Sequence, residues 1–120
     1  LKLSHNLQLY VNSIFIKNDK IVSQKLYFNE LIKIASEDVL FVTYYLLENI
    51  NSKSAFLPKA KYFYRKREEE NSSMDLAYKN QDFYLVINKE VTLELLKRSN
   101  FLIYTQNLAL YQLYWQIKFL

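Results

Sequence analysis

Apolar positions along this chain alternate between two spacings, and each spacing predicts an element. Leu7, Leu9 and Val11 are interleaved with Gln8, Tyr10 and Asn12. That is the two-residue period of a strand, and residues 13–16 extend it. Asn18-Asp19 predicts a turn. Residues 21–28 read as a short helix or strand leading into a loop, and residues 29–35 as one or two helical turns. The pattern then changes. From residue 39 to residue 47 the only non-aromatic polar side chain is Thr43. Ahead of this run, Ser36 is an N-cap type, and Glu37 and Asp38 fall in the first turn, where the helix dipole favours negative charge. A helix over 37–48 follows, and one so nearly apolar all round should be buried. Asn49, Asn51 and Ser52 end it.

Residues 55–67 predict a strand pair or one long strand, with Pro58 marking a break or an edge. In extended geometry Phe63, Arg65 and Arg67 share one face, and Tyr62, Tyr64 and Lys66 the other. Residues 68–73 are polar and predict a loop. A helix is predicted over 81–98, opened by Phe83 and Tyr84. Ile87, Val91, Leu95 and Leu96 follow Tyr84 as its core stripe. Asn100 breaks it. A final amphipathic helix over 102–120 carries Tyr104, Leu108, Tyr111, Trp115 and Phe119 on one face. The fold class expected is α+β with more helix than strand, in one domain at most, since the chain has 120 residues.

Composition narrows the chemistry. The chain is 51% hydrophobic and 23% charged, enough to bury a core. It has no Cys, so neither disulfides nor thiolate metal sites are open to it. It also has no Gly. Phosphate-cradling loops need glycines for tight turns and close backbone approach, so that class is excluded. The net charge of +4 permits an anionic partner without selecting one. His5 is the only histidine and cannot build a metal site alone. Residues 101–117 carry no formal charge, but Gln106, Asn107, Gln112 and Gln116 interrupt them. No stretch reaches the roughly 20 apolar residues of a membrane span. The chain opens on Leu rather than Met and reads as part of something longer.

Three segments could act together: Glu37-Asp38 at a helix start, the basic run Tyr64-Arg65-Lys66-Arg67, and the hydroxyl pair Ser72-Ser73. A carboxylate can take a proton from a substrate hydroxyl. Arginines stabilise a phosphorylated leaving group through charge-assisted hydrogen bonds, and serine hydroxyls add neutral donors. Together they suit attack of a hydroxyl on a carbon bearing a diphosphate. Singly each is ordinary: acids at a first turn are common, and basic residues followed by Glu68-Glu69-Glu70 make a solvated charge run.

In order and spacing, four segments resemble the second half of family 2 glycosyltransferases. They are Phe28-Asn29-Glu30, Ser36-Glu37-Asp38-Val39-Leu40-Phe41, Tyr62-Phe63-Tyr64-Arg65-Lys66-Arg67 and Ser72-Ser73. The likeness runs from about residue 13 to the end and is strongest to bacterial enzymes that build capsule and teichoic-acid-like polymers. The run from Gln106 to Trp115 looks like the helix that follows in that subgroup. The resemblance implies a partial GT-A fold over 1–99, the acceptor-side half, with 100–120 as an appended helix. It implies inverting sugar transfer from a nucleotide-sugar donor to a saccharide or polyol-phosphate acceptor, in the cytoplasm at the inner face of the plasma membrane, with peripheral membrane association. Asp38 matches the family's catalytic base and Glu37 the neighbour that shapes the acceptor site. Arg65 and Arg67, with Ser72 or Ser73, match the loop that contacts the donor diphosphate; which of each is the closer match stays open. The family's Asp-x-Asp metal motif is absent from this sequence. A divalent metal, Mg or Mn, is therefore expected only on ligands upstream, and this segment alone should be inactive.

Two other readings compete. Tyrosines interleaved with Lys and Arg over 62–67 could stack on single-stranded nucleic acid. The helix over 102–120 could lie on a membrane surface or a partner with its Tyr/Trp stripe at the interface. Neither needs the Glu37-Asp38 pair, and Glu68 to Glu70 oppose a nucleic-acid groove, so no nucleic-acid partner is expected.

Overall fold

A computed structural model of the chain describes residues 7–33, 35–63, 80 and 82–118. They form α1, Asn18–Ser23; α2, Glu37–Glu48; α3, residues 82–98; and α4, Ile103–Lys118. A 3-10 turn, Val11–Ser13, precedes α1. Among the described residues there is no strand and no sheet, which overturns the expected α+β class and its partial GT-A core. The extended backbone that the alternation predicts is there, at Tyr10 (φ −119°, ψ 130°) and Ile14 (φ −137°, ψ 141°). What it lacks is a partner. A strand is held by ladder bonds and cross-strand pairs, not by its own pattern. Leu7 and Leu9 instead pack, half-buried, against the helical core. The strand expected over 55–67 is irregular and exposed as far as residue 63. The Ala60 N–H donates to the Leu57 carbonyl at 3.0 Å, closing a turn with Pro58 at its second position. Residues 64–67 lie outside the described residues, as do Ile34 and the loop expected over 68–73.

α2 runs over the residues its apolar run predicts, and five consecutive side chains, Val39 to Thr43, are buried. It is buried from two sides. Val39 and Leu40 join Ile32, Val91, Leu95, Tyr104 and Leu108 from α3, α4 and the preceding loop. Phe41 and Val42 face Leu26, with Val11, Ile14, Ile16 and Ile21 of the N-terminal segment packed around them. α2 is thus the centre of the fold.

Asn18 and Asp19, expected as a turn, open α1 instead. The end of α1 shows why residues 21–28 read ambiguously. The Lys25 N–H donates to the Val22 carbonyl (3.2 Å) and the Leu26 N–H to the Ile21 carbonyl (3.1 Å). This pair of bonds normally recruits glycine at its left-handed position. Here Lys25 takes that place at φ 51°. The same device ends α3, where Asn100 donates to Lys97 (3.1 Å) and Phe101 to Leu96 (2.8 Å). Asn100 and Phe101 both have positive φ, 50° and 57°, so the expected break has a stated geometry. Residues 29–33 and Ala35 are not helical. Asn29 organises one turn there, its carbonyl accepting from the Ile32 N–H (3.1 Å) and its Oδ1 from the Leu31 N–H (3.0 Å).

α3 is continuous but not uniform. Asp82–Val86 and Glu94–Arg98 are α-helical, and Ile87–Leu93 between them is a π segment. Its buried apolar positions are Phe83, Ile87, Val91 and Leu95, with Tyr84 and Leu96 only half-buried, so Phe83 rather than Tyr84 starts the core stripe. These positions are each four apart. At about 100° per residue an α-helix would rotate such a stripe by about 40° at each step. Wider π turns take up that drift and keep all four side chains on one face.

α4 packs against α3, with Tyr104 and Leu108 buried as expected and Tyr111 and Trp115 half-buried; Phe119 lies outside the described residues. Its contact with α3 is also polar. Thr92 Oγ1 donates to Gln112 Oε1 at 2.6 Å, and Asn88 and Gln116 exchange amide bonds at 2.9 and 3.2 Å. Among the described residues no helix is long and apolar enough to cross a membrane.

Candidate functional site

The acids singled out by the sequence stand together at the start of α2. Ser36 occupies the cap position, but not in the way its residue type predicts. Its backbone is left-handed (φ 70°, ψ 10°) and its side chain makes no capping bond. Its carbonyl accepts the first helical bond, from the Leu40 N–H at 3.1 Å. A serine in this conformation costs of order 1 kcal/mol or more relative to ordinary backbone. It sits directly before the two carboxylates.

Glu37 and Asp38 are half-buried. The Val11 backbone N–H donates to Asp38 Oδ2 at 3.4 Å, a long bond that fixes the carboxylate against the N-terminal segment. Among the described residues neither acid forms an ion pair. The helix N-terminus offsets their negative charge.

Two further contacts bring distant segments to this end of α2. Phe28 stacks on Phe41, ring centroids 4.3 Å apart and planes within 7°. Phe41 lies three residues after Asp38 and therefore on a neighbouring part of the helix surface. The Asn12 side-chain amide donates to the Tyr62 hydroxyl at 2.8 Å, one residue on from the N–H that holds Asp38. Phe28, Asp38 and Tyr62 are thereby tied to one neighbourhood. Arg65, Arg67, Ser72 and Ser73 lie outside the described residues.

The parts that sequence reasoning missed are Val11 and Asn12. A backbone N–H has no sequence signal, and the Asn12–Tyr62 bond spans 50 residues of chain. A second polar group, also missed, clamps α2 to α3 further along. The Tyr44 hydroxyl donates to Glu94 Oε1 (3.0 Å), and the Arg98 guanidinium lies 4.2 Å over the Tyr44 ring while donating to Glu48 Oε1 (2.8 Å). Burial, helped by the bond to Glu94, pushes the Tyr44 hydroxyl up to about 12. The bond to Glu48 raises Arg98 further above its ordinary value. Burial likewise raises Tyr104, against the Gln8 backbone N–H that donates to its hydroxyl at 3.2 Å. Tyr44, Glu48, Glu94 and Arg98 thus hold α2 to α3, away from the half-buried acids at the start of α2.

Among the described residues no three His, Cys, Asp or Glu side chains converge where a metal ion could sit. The divalent metal that the resemblance implies was expected on ligands upstream of this segment. Compared with protein-family models, with curated proteins and with solved structures, the chain gives no significant match to any.

Proposed function

We propose that this chain is the acceptor-side portion of an inverting glycosyltransferase, with Asp38 as the base that takes the proton from an acceptor hydroxyl. The observation that carries the reading is the setting of Asp38. It is a half-buried carboxylate on a rigid helix start, steadied by one backbone N–H and without a cation against it among the described residues. A base so placed keeps lone pairs for a substrate proton. Glu37 beside it would orient the acceptor. The exposed faces of Phe28 and Tyr62 would offer apolar surface to a sugar ring. The nucleotide-sugar donor would be held through its diphosphate by Arg65 or Arg67 with Ser72 or Ser73, by charge-assisted hydrogen bonds. Transfer then forms the new glycosidic bond from the acceptor oxygen to the anomeric carbon as the bond to the diphosphate breaks, and the hydroxyl proton passes to Asp38.

In the enzyme that contains this chain, Asp38→Asn should keep donor binding and lower transfer by about 10²–10⁴, the usual worth of a positioned base. Transfer of radiolabelled sugar is read beside calorimetric donor titration. Turnover within a few-fold of wild type, in a folded variant, would remove Asp38 from the mechanism and with it the proposal.

A further inference from the structure

Two bonds to the candidate site leave from neighbouring residues of one turn. The Val11 N–H donates to Asp38 Oδ2 at 3.4 Å, and the Asn12 side-chain amide donates to the Tyr62 hydroxyl at 2.8 Å. Consecutive residues are about 3.8 Å apart, so the acid and the tyrosine are held from adjacent points. The turn itself is bolted in place. Gln8 Nε2 donates to the Tyr10 carbonyl at 3.0 Å and to Ser13 Oγ at 2.8 Å, on either side of Val11 and Asn12. The Ser13 hydroxyl donates to the Tyr10 carbonyl at 3.1 Å, and the Gln8 N–H to the Tyr104 hydroxyl of α4 at 3.2 Å. Tyr62 lies in an irregular stretch and is 55% exposed. Its phenol oxygen accepts from Asn12, which leaves the hydroxyl proton free to donate. A ring anchored at its far end and open along its body is prepared for a ligand, because little freedom is left to lose on binding.

We infer that the acceptor is an uncharged pyranose packed on the Tyr62 ring, with Asn12 as the residue that positions the ring. The inference rests on the reading of Asp38 as the base, and names the acceptor class which that reading leaves open. Charge decides between a neutral saccharide and a polyol-phosphate. Glu37 and Asp38 are half-buried, and among the described residues no ion pair neutralises either. The face of an aromatic ring is negative as well. A phosphate or a uronic-acid carboxylate brought here meets groups of its own sign, and such meetings cost affinity. Arg65 and Arg67, which could balance an anion, are given to the donor diphosphate in that reading. A neutral sugar escapes the penalty. Its hydroxyls donate to the carboxylates, one of its oxygens accepts the Tyr62 proton, and its ring C–H bonds carry the slight positive charge that a π face attracts. Phe28 is the poorer platform, since one of its faces is already spent on Phe41 at 4.3 Å.

The test measures acceptor binding to the enzyme that contains this chain, by saturation-transfer NMR titration. The neutral probes are methyl β-glucopyranoside, methyl β-galactopyranoside and methyl α-mannopyranoside; the charged ones are methyl β-glucuronide and glycerol 3-phosphate. Expected is a neutral glycoside that binds about ten-fold tighter than either charged probe, or more. Tyr62→Leu, at an exposed position, should weaken it about ten-fold. Asn12→Ala and Tyr62→Phe should each weaken it about three-fold, and the two together no further, because both remove the same bond. A general loosening of the surface would not give that non-additivity. Circular dichroism checks that the variants stay folded. The inference is overturned if no neutral probe binds, if a charged probe binds as tightly, if Tyr62→Leu has no effect, or if the two smaller losses add. Because this experiment reads binding and not transfer, its failure is distinct from that of the reading beneath it, which only normal transfer by Asp38→Asn would remove.

Discussion

Replacing Thr92 by Val should destabilise the chain more than replacing Thr92 and Gln112 together. The Thr92–Gln112 bond is short, 2.6 Å, and buried between α3 and α4. Gln112 enters it already compromised, because its Nε2 is buried and has no hydrogen-bond partner among the described residues. Thr92→Val takes away the one donor and leaves the whole amide unsatisfied. Stranding a buried polar group costs about 1–3 kcal/mol. For a chain of this length that is a fall of about 3–5 °C in Tm for each kcal/mol. Thr92→Val/Gln112→Leu removes donor, acceptor and the orphaned Nε2 at once, and side chains of similar volume fill the space. It should unfold within about 0.5 kcal/mol of wild type, or above it, because swapping both partners for apolar groups of the same shape is close to neutral. Urea unfolding followed by circular dichroism gives the midpoints, with an unchanged slope confirming the same folded state. Thr92→Val as stable as wild type, or a double variant that loses the sum of both single changes, would refute the reasoning. Either result would also remove the constraint that turns the apolar side of α4 outward.

Lys25→Gly should stabilise the chain by about 0.5–1 kcal/mol, because Lys25 holds φ 51° at an exposed helix stop where glycine carries no steric penalty; a lower urea midpoint would show that this backbone is not strained. Stability should also fall at high pH through Tyr44. Its hydroxyl titrates at about 12 in the fold against 10.0 in the unfolded chain, so its contribution is complete below pH 10 and is lost as pH rises from there toward 12. Tyr44 is partly exposed, so solvent screening limits the effect to at most about 1 kcal/mol. Tyr44→Phe should flatten that part of the stability curve, and superimposable curves for the two proteins would count against the Tyr44–Glu94 bond.

Much of the helical framework is legible in the sequence, because a helix satisfies its own backbone and needs only a local pattern. The apolar run behind Glu37 and Asp38 marks α2 end to end, and the stripe of residues near 83–96 marks α3. Asn100 marks the stop between α3 and α4. The acids at the start of α2 are equally local, since they follow from residue type and position. Strands are different. The alternation over residues 7–12 and the β-prone residues of 55–63 describe chain that is ready to pair, but pairing is a property of two segments. Here Leu7 and Leu9 find helices beside them instead, and residues 55–63 stay irregular and exposed. The setting of Asp38 is likewise tertiary. The N–H that holds it comes from Val11, 27 residues earlier, and the aromatic ring one turn in is covered by Phe28.

α4 shows most plainly where sequence stops and tertiary structure decides. The sequence fixes that residues 103–118 are helical, uncharged but for the last, and apolar on more than one side. Periodicity cannot choose between two apolar sides, since either would gain by burial. The choice is made by Asn88, Thr92 and Ser99, which pair with Gln116, Gln112 and Thr105 where α4 meets α3. Leaving such groups unpaired costs about 1–3 kcal/mol each, comparable to the roughly 1.5–3 kcal/mol forfeited by exposing each of Leu110 and Ile117, and Tyr104 and Leu108 on the other side are buried in exchange.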